Sequence, residues 1–333
     1  MSPADEPGVR STAGLLLSGI VDDDFLVFAG SGNAKLGRAI ATSLGRELGQ
    51  SEVLRFSEGN LFVRVLQNVR GRDVFVVQGT GFPANDNFVE LLFWLDAFKR
   101  SSAASVTAVI PYFSYAKGDK KDEPRVSIRG RVCADAIQAA GADRVVTLDL
   151  HAPQVQGFFH VPVDDLYAMP LLCEAISAKG LRDVVVVAPD AGALKRARRW
   201  AARLDAPTAV ADKHRADHNE SAEVVQLIGS VAGRTALIVD DFTISGGTLV
   251  AAADVLLEHG ATSIYAAVTH GLLTPESARR LHDSPIERLL ITDSVETQPT
   301  DLPPMVEVIS VASLFGEAIQ RIANRESISV LFA

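Results

Sequence analysis

The chain has 333 residues, 47% apolar, 22% charged and 6% aromatic. That is enough apolar material for real cores and too little charge for a disordered polymer, and at about 100 to 200 residues per domain it predicts two domains. Lys and Arg total 32 against 41 Asp and Glu, a formal charge of −9, which argues against indiscriminate binding to a nucleic acid backbone while leaving room for a local basic pocket.

Only Cys133 and Cys173 occur, with no CxxC or Cys/His cluster. Neither a disulfide framework nor a structural zinc is expected, which suits a reducing cytoplasm. The opening MSPADEPGVRSTAGLLLSGIVDDD has one short apolar stretch, Ala13 to Leu17, flanked by acids and unlike a secretory leader. No stretch approaches the roughly 18 uninterrupted apolar residues of a membrane span.

From there short β-branched runs alternate with helix-like segments. The runs are FLVFAG (25–30), VFVVQGT (74–80), VTAVIPYF (106–113), RVVTLDL (144–150), VVVVAPD (184–190), TALIVDD (235–241) and IYAAVTH (264–270). Continuous apolar strands are buried on both faces, the mark of a parallel sheet covered by helices. Between them, 35–48, 87–101, 130–140, 193–204 and 247–259 are long enough for crossover helices. The predicted class is α/β, with two similar domains, each a mainly parallel sheet flanked by helices. The Pro- and Asp-containing HVPVDDLYAMP (160–170) places a boundary near 160, giving domains 24–160 and 161–333. A last helix over 312–324 can return to either. The loops after strand ends, at 30–34, 80–87, 113–127, 151–157, 190–193 and 240–247, lie where open α/β sheets hold ligands.

The strongest chemical signal is IVDDFTISGGTL (238–249). Two acids end a buried strand, and Ser245, Gly246, Gly247 and Thr248 form a small-residue turn into a helix. Bare amides, hydroxyls and a helix N-terminus make a phosphate nest, while Asp240 and Asp241 at its rim can accept from a sugar diol; together these point to a pentose 5-phosphate. A tight βα turn with a capping Ser is the plainer alternative. No GxxxxGK[ST] occurs, and GSGNAKLG (30–37) lacks the third glycine of a dinucleotide fingerprint. His151, just past a strand end, is either a structural hydrogen-bonding residue or one oriented by Asp149, two places earlier, for work on a metal or phosphate. Asp190 ends another strand, where a helix N-cap is the plain alternative. Lys213 and Arg215 lie in a polar stretch that also reads as a solvated loop, as does the charged run Lys117, Asp119, Lys120, Lys121 and Asp122.

At these motifs the chain resembles the type I phosphoribosyltransferase fold and, more closely, the ribose-phosphate pyrophosphokinase family. The resemblance is carried by RFSEGN (55–60), NVRGRDVFVVQ (68–78), NDNFVELL (85–92), TAVIPYFSYAKGDKKD (107–122), DLHAPQVQGFFHVPVD (149–164), VAPDAGALKRAR (187–198) and ADKHR (211–215), and runs from about residue 25 to the C-terminus. It implies transfer of the pyrophosphoryl group of Mg-ATP to the anomeric hydroxyl of ribose 5-phosphate in the cytoplasm, with Mg²⁺ as cofactor. No nucleic acid or membrane partner is implied. A homo-oligomer built from dimers, up to a hexamer, is.

By the same resemblance, His151 helps hold Mg-ATP and Asp190 faces the ribose phosphate and the magnesium. Lys213 and Arg215 neutralise charge on the transferring group, and the loop with Lys117, Gly118 and Asp122 closes on ATP. Phe56, Glu58 and Asn60 belong to an adenine-reading segment donated by a neighbouring subunit. Several positions depart from the family pattern. Lys117-Gly118 stands for Arg-Gln, which removes a bidentate phosphate contact and an amide facing the base. Asn60 stands for Glu, Glu58 for Asp, Ile244 for an acid and Ser245 for Thr. These departures leave two further readings: a catalytically weak regulatory paralogue, or a pyrophosphokinase with altered pentose or nucleotide specificity.

Overall fold

The computed structural model describes residues 25–214, 224–296 and 302–332, with backbone only at 212–214 and 224–226. In chain order the first half holds β1 (Phe25–Ala29), α1 (Ala34–Ser43), β2 (Ser51–Arg55), β3 (Leu61–Val65), β4 (Asp73–Val77), α2 (Ala84–Arg100), β5 (Ser105–Ile110), α3 (Arg129–Ala139), β6 (Arg144–Leu148) and β7 (Val163–Leu166). There follow α4 (Met169–Ser177), β8 (Val184–Ala188), α5 (Leu194–Leu204), β9 (Thr208–His214), β10 (Val224–Ile228), β11 (Thr235–Thr243), α6 (Gly247–Glu258), β12 (Ser263–Gly271), α7 (Pro275–His282), β13 (Arg288–Thr292), β14 (Val306–Ile309) and α8 (Ala312–Ala323).

Two sheets result, ordered β1-β4-β5-β6-β7 and β10-β9-β8-β11-β12-β13-β14. Within these two sheets all pairings are parallel except β9 with β10. The expected α/β architecture is therefore what the chain forms. Its central strands are the continuous Val- and Ile-rich runs, because a strand covered by helices on both sides buries every side chain. Helix α2 shows the complementary pattern: Asn87, Glu90, Leu91, Trp94, Leu95 and Phe98 are its buried stripe, and Asp86 opens it while Lys99 and Arg100 close it, in keeping with the helix dipole.

Several features go beyond the sequence expectation. Strands β2 and β3 form a separate antiparallel hairpin, whose Val53, Val63 and Val65 pack against the core that holds Trp94 and Phe98. Strand β7 pairs with β6, so the first sheet extends past residue 160 before the chain enters α4. Helix α8, which the sequence left free to join either half, returns to the first: Phe315 and Ile319 share a core with Phe25 and Ile40. Gly316 lets the two helices approach, since a Cβ there would collide with Ser43 Oγ of α1.

The halves meet through buried polar groups as well. Asn33 Nδ2 donates to the Ser294 carbonyl at 3.0 Å, and His270 Nε2 donates to the Leu148 carbonyl at 3.1 Å. Among the described residues no helix is long and apolar enough to cross a membrane.

Candidate active site

In a parallel sheet every strand delivers its loop to the same end, so the segments after β8 and β11 share one edge, and the segment after β6 of the first sheet meets them there. They do so around a cavity of about 590 Å³. His151, Asp190, Asp240, Asp241 and the run from Ile244 through Thr248 all line it, joined by Asp119, Lys120 and Gln154. Positions more than 90 residues apart in the chain thus face one space, as His151 and Thr248 do, and the sugar-phosphate and metal candidates singled out from sequence are brought together.

The turn into α6 has the geometry its glycines allow. Gly246 has φ +72, a left-handed conformation that L side chains avoid, and a Cβ there would press on Leu281. The Gly247 amide donates to Ser245 Oγ at 3.3 Å, and the Arg280 guanidinium of α7 reaches the Ser245 carbonyl at 3.4 Å. Asp190 caps its own short helical turn, Oδ1 accepting from the Ala193 amide at 2.9 Å, while remaining exposed to the cavity. The plain capping role and a cavity-facing position coexist.

One expectation about His151 is corrected. Asp149 does not orient it: its Oδ2 accepts from Thr269 Oγ1 at 2.7 Å and from the Ala168 amide at 3.1 Å. His151 Nδ1 instead lies 2.7 Å from Asp241 Oδ2, and the ring rests edge-on against Phe242 with centroids 5.4 Å apart.

The sequence reading also missed Arg196. It sits in the first turn of α5 and reaches both strand-end acids, Asp240 Oδ1 at 2.8 Å and Asp241 Oδ2 at 3.1 Å. A basic residue just after VAPDAG was the available signal. Nothing in the local sequence says that the first turn of α5 faces the end of β11.

Electrostatics follow from these contacts. The hydrogen bond to Asp241 raises the His151 pKa against the opposing effect of burial. Burial and the neighbouring Asp241 charge push Asp240 up. Burial opposes the charge on Asp241 too, but the His151 hydrogen bond and the Arg196 guanidinium outweigh it and hold its carboxyl below the usual range. Lys117 does not line the large cavity. Its ammonium lies 3.4 Å from the centre of the Phe242 ring, and burial lowers its pKa to about 8, with Asp241 pulling the other way.

The remaining candidates are elsewhere. Gly118 has the Arg129 side chain where a Cβ would point. Asp122 is exposed, 3.9 Å from Lys120. Phe56, Glu58 and Asn60 occupy the exposed tip between β2 and β3, where Asn60 Nδ2 donates to Glu58 Oε1 at 3.2 Å. None of these three lines the cavity. The backbone of Lys213 pairs with Val225 across β9 and β10; its side chain, and all of Arg215, lie outside the described residues.

Among the described residues no three His, Cys, Asp or Glu side chains gather closely enough to hold a metal ion. His151 and Asp190 fit a cation that draws most of its oxygens from a bound ligand and water, as magnesium does beside phosphates.

A family model described as the N-terminal domain of ribose phosphate pyrophosphokinase matches residues 25–141, and one described as the phosphoribosyl synthetase-associated domain matches 221–333. The ribose-phosphate pyrophosphokinase of Mesorhizobium japonicum is 48% identical over 309 residues, covering 92% of this chain and 99% of the relative. That of Caldanaerobacter subterraneus subsp. tengcongensis is 49% identical over 307 residues, covering 92% and 97%. Among solved structures, phosphoribosylpyrophosphate synthetase from Mycobacterium smegmatis matches with a TM-score of 0.86 at 34% identity, covering 91% of this chain and 99% of that one.

Proposed function

This chain belongs to the ribose-phosphate pyrophosphokinase family, and from that premise we infer that the cavity between β6, β8 and β11 is its catalytic site. The chain is a transferase that moves the pyrophosphoryl group of ATP onto ribose 5-phosphate. The anomeric oxygen forms a bond to the β-phosphorus, the bond from that phosphorus to the α–β bridging oxygen breaks, the hydroxyl proton is lost, and phosphoribosyl pyrophosphate and AMP result. The observation that carries the assignment of the site is the cavity itself, where a glycine-rich helix start, two strand-end acids and a histidine face one space.

In this reading the amides and hydroxyls of Ser245, Gly246, Gly247 and Thr248 take the 5-phosphate at the N-terminus of α6, and Asp240 accepts from the sugar hydroxyls. His151 and Asp190, together with substrate phosphates, would hold a magnesium ion, which would supply charge neutralisation. Lys213 and Arg215 stabilise the negative charge that grows on the transferring group. Positioning and electrostatics of this kind do most of the work in phosphoryl transfer. The exposed β2–β3 tip, with Phe56, Glu58 and Asn60, serves the nucleotide site of a neighbouring subunit, so the working form is a homo-oligomer. A cytoplasmic location fits its substrates.

Incubating the purified chain with ribose 5-phosphate, ATP and Mg²⁺ and following products by ³¹P NMR tests this: AMP and phosphoribosyl pyrophosphate are expected in equal amounts. ADP as the product, or no turnover, would overturn it. A second reading, an altered pentose preference, is favoured by one observation: Ile244, which stands where the family pattern has an acid, lines the cavity.

A further inference from the structure

The two acids that end β11 are not equivalent. Asp241 is 3% exposed and uses both oxygens inside the protein. Its Oδ1 accepts from the Phe242 amide at 3.0 Å; its Oδ2 lies 2.7 Å from His151 Nδ1 and 3.1 Å from Arg196 Nη2. An ionised carboxylate can only accept, so the proton of this bond belongs to Nδ1, and three donors leave Asp241 little capacity for a ligand. Asp240 is more exposed, and the hydrogen bonds that hold it, from Arg196 Nη1 at 2.8 Å and the Asp241 amide at 2.9 Å, use Oδ1. The planar guanidinium of Arg196 places one arm on each acid, a geometry an ammonium does not reproduce.

We propose that the pair divides its work: Asp241, anchored by Arg196, is a positioning residue that holds the His151 ring with Nδ1 protonated and Nε2 presented to the cavity, while Asp240 alone of the two meets the sugar hydroxyls. The sugar half rests on the pyrophosphokinase reading; the Asp241–His151 half stands on geometry alone. An imidazole free to turn would present either nitrogen or a C–H to the cavity. A buried acceptor on one nitrogen removes that choice, as outer partners do for ligating histidines.

Two measurements on the full chain test this. In ¹⁵N-histidine NMR spectra, with the His151 signals assigned by their loss in His151→Gln, the neutral ring is expected as the Nδ1–H tautomer in the wild type. In Asp241→Asn that proton is expected to leave Nδ1, because an amide offers the ring a donor as well as an acceptor.

In calorimetry and steady-state kinetics, Asp241→Asn should lower kcat about 100-fold with the ribose 5-phosphate Kd held within about twofold. Asp240→Asn should weaken ribose 5-phosphate binding about tenfold or more. Combining Asp241→Asn with His151→Gln should cost no more than His151→Gln alone, the signature of residues acting as one unit. Arg196→Lys, checked by circular dichroism, should follow Asp241→Asn with a smaller loss and keeps the proposal testable if the buried Asn variant does not fold.

An Asp241→Asn variant with its kcat intact and its ribose 5-phosphate Kd raised tenfold, losses that multiply in the double variant, or an unchanged His151 tautomer would each overturn the proposal. A wild type that makes no AMP would overturn the functional reading instead, and the tautomer would still decide the role of Asp241.

Discussion

In the cavity an isoleucine, Ile244, is 37% exposed between the strand-end acids and the Ser245 turn. Isoleucine can offer a sugar hydroxyl nothing, whereas an acid at this position can accept from it, and such a charged hydrogen bond is worth about 1.5 to 3 kcal/mol. Ile244→Asp is therefore expected to raise kcat/KM for ribose 5-phosphate by about tenfold or more. If the pocket has been reshaped for another pentose phosphate, the same change leaves ribose 5-phosphate use unimproved and damages use of the real substrate, because the new charge lacks a partner. Equal kcat/KM values for both proteins on every pentose 5-phosphate would show that the side chain does not face the sugar. The acids and the glycine turn were legible in sequence because they follow one another in the chain. The His151–Asp241 pair was not, since it joins the ends of two strands 90 residues apart, and the nearer acid, Asp149, instead accepts through Oδ2 from Thr269 and Ala168.

At the scale of elements, α8 against α1 depends on a missing side chain. An added methyl at Gly316 would meet Ser43 Oγ, which could make room only by leaving the Ile40 carbonyl it donates to; overpacking of this kind costs about 1 to 3 kcal/mol, at or above the roughly 1 kcal/mol that Ala gains over Gly in a helix. Urea denaturation should show Gly316→Ala destabilised. Adding Ser43→Ala, whose Cβ would sit an ordinary 3.6 Å away, should restore stability to the wild-type value or above it. A stable single variant would mean the helices can separate at no cost. Sequence patterns found the long elements and missed the short ones. Strand β3 alternates partly buried with exposed positions and β2 has no fully buried residue, and β7 reads VDDL, its Asp164 paired with Arg144 at 2.5 Å, so none of them resembles a buried apolar run.

Across the whole molecule, His270 ties β12 to the end of β6 while fully buried. Burial lowers its pKa to about 4, its Nδ1 lies 2.8 Å from Ser294 Oγ and Tyr112 lies against its ring. Between about pH 6.5 and 4 the unfolded chain binds a proton here that the folded chain refuses, so stability is complete above the unfolded pKa and falls as pH drops toward 4. His270→Gln should destabilise the protein at pH 7.5, and its stability deficit against wild type in urea should shrink as pH falls from 6.5 to 4. A constant deficit would mean that His270 does not stay neutral in the fold. Assembly is tested at the same scale. Activity per subunit, followed by light scattering and assay during dilution, is expected to vanish with dissociation; constant activity down to monomers would reject a shared nucleotide site.

The sequence by itself determined the α/β class, the parallel strands, the glycine turn into α6 and the family, because each is written in contiguous residues whose periodicity or spacing carries its own physics. Tertiary structure decided which acid orients His151, that Arg196 spans the acid pair, that Lys117 rests on Phe242, and that α8 closes back on α1. These are contacts between ends of different strands and helices. Their partners are chosen by how the sheets stack and where the strands terminate, and local sequence does not encode that.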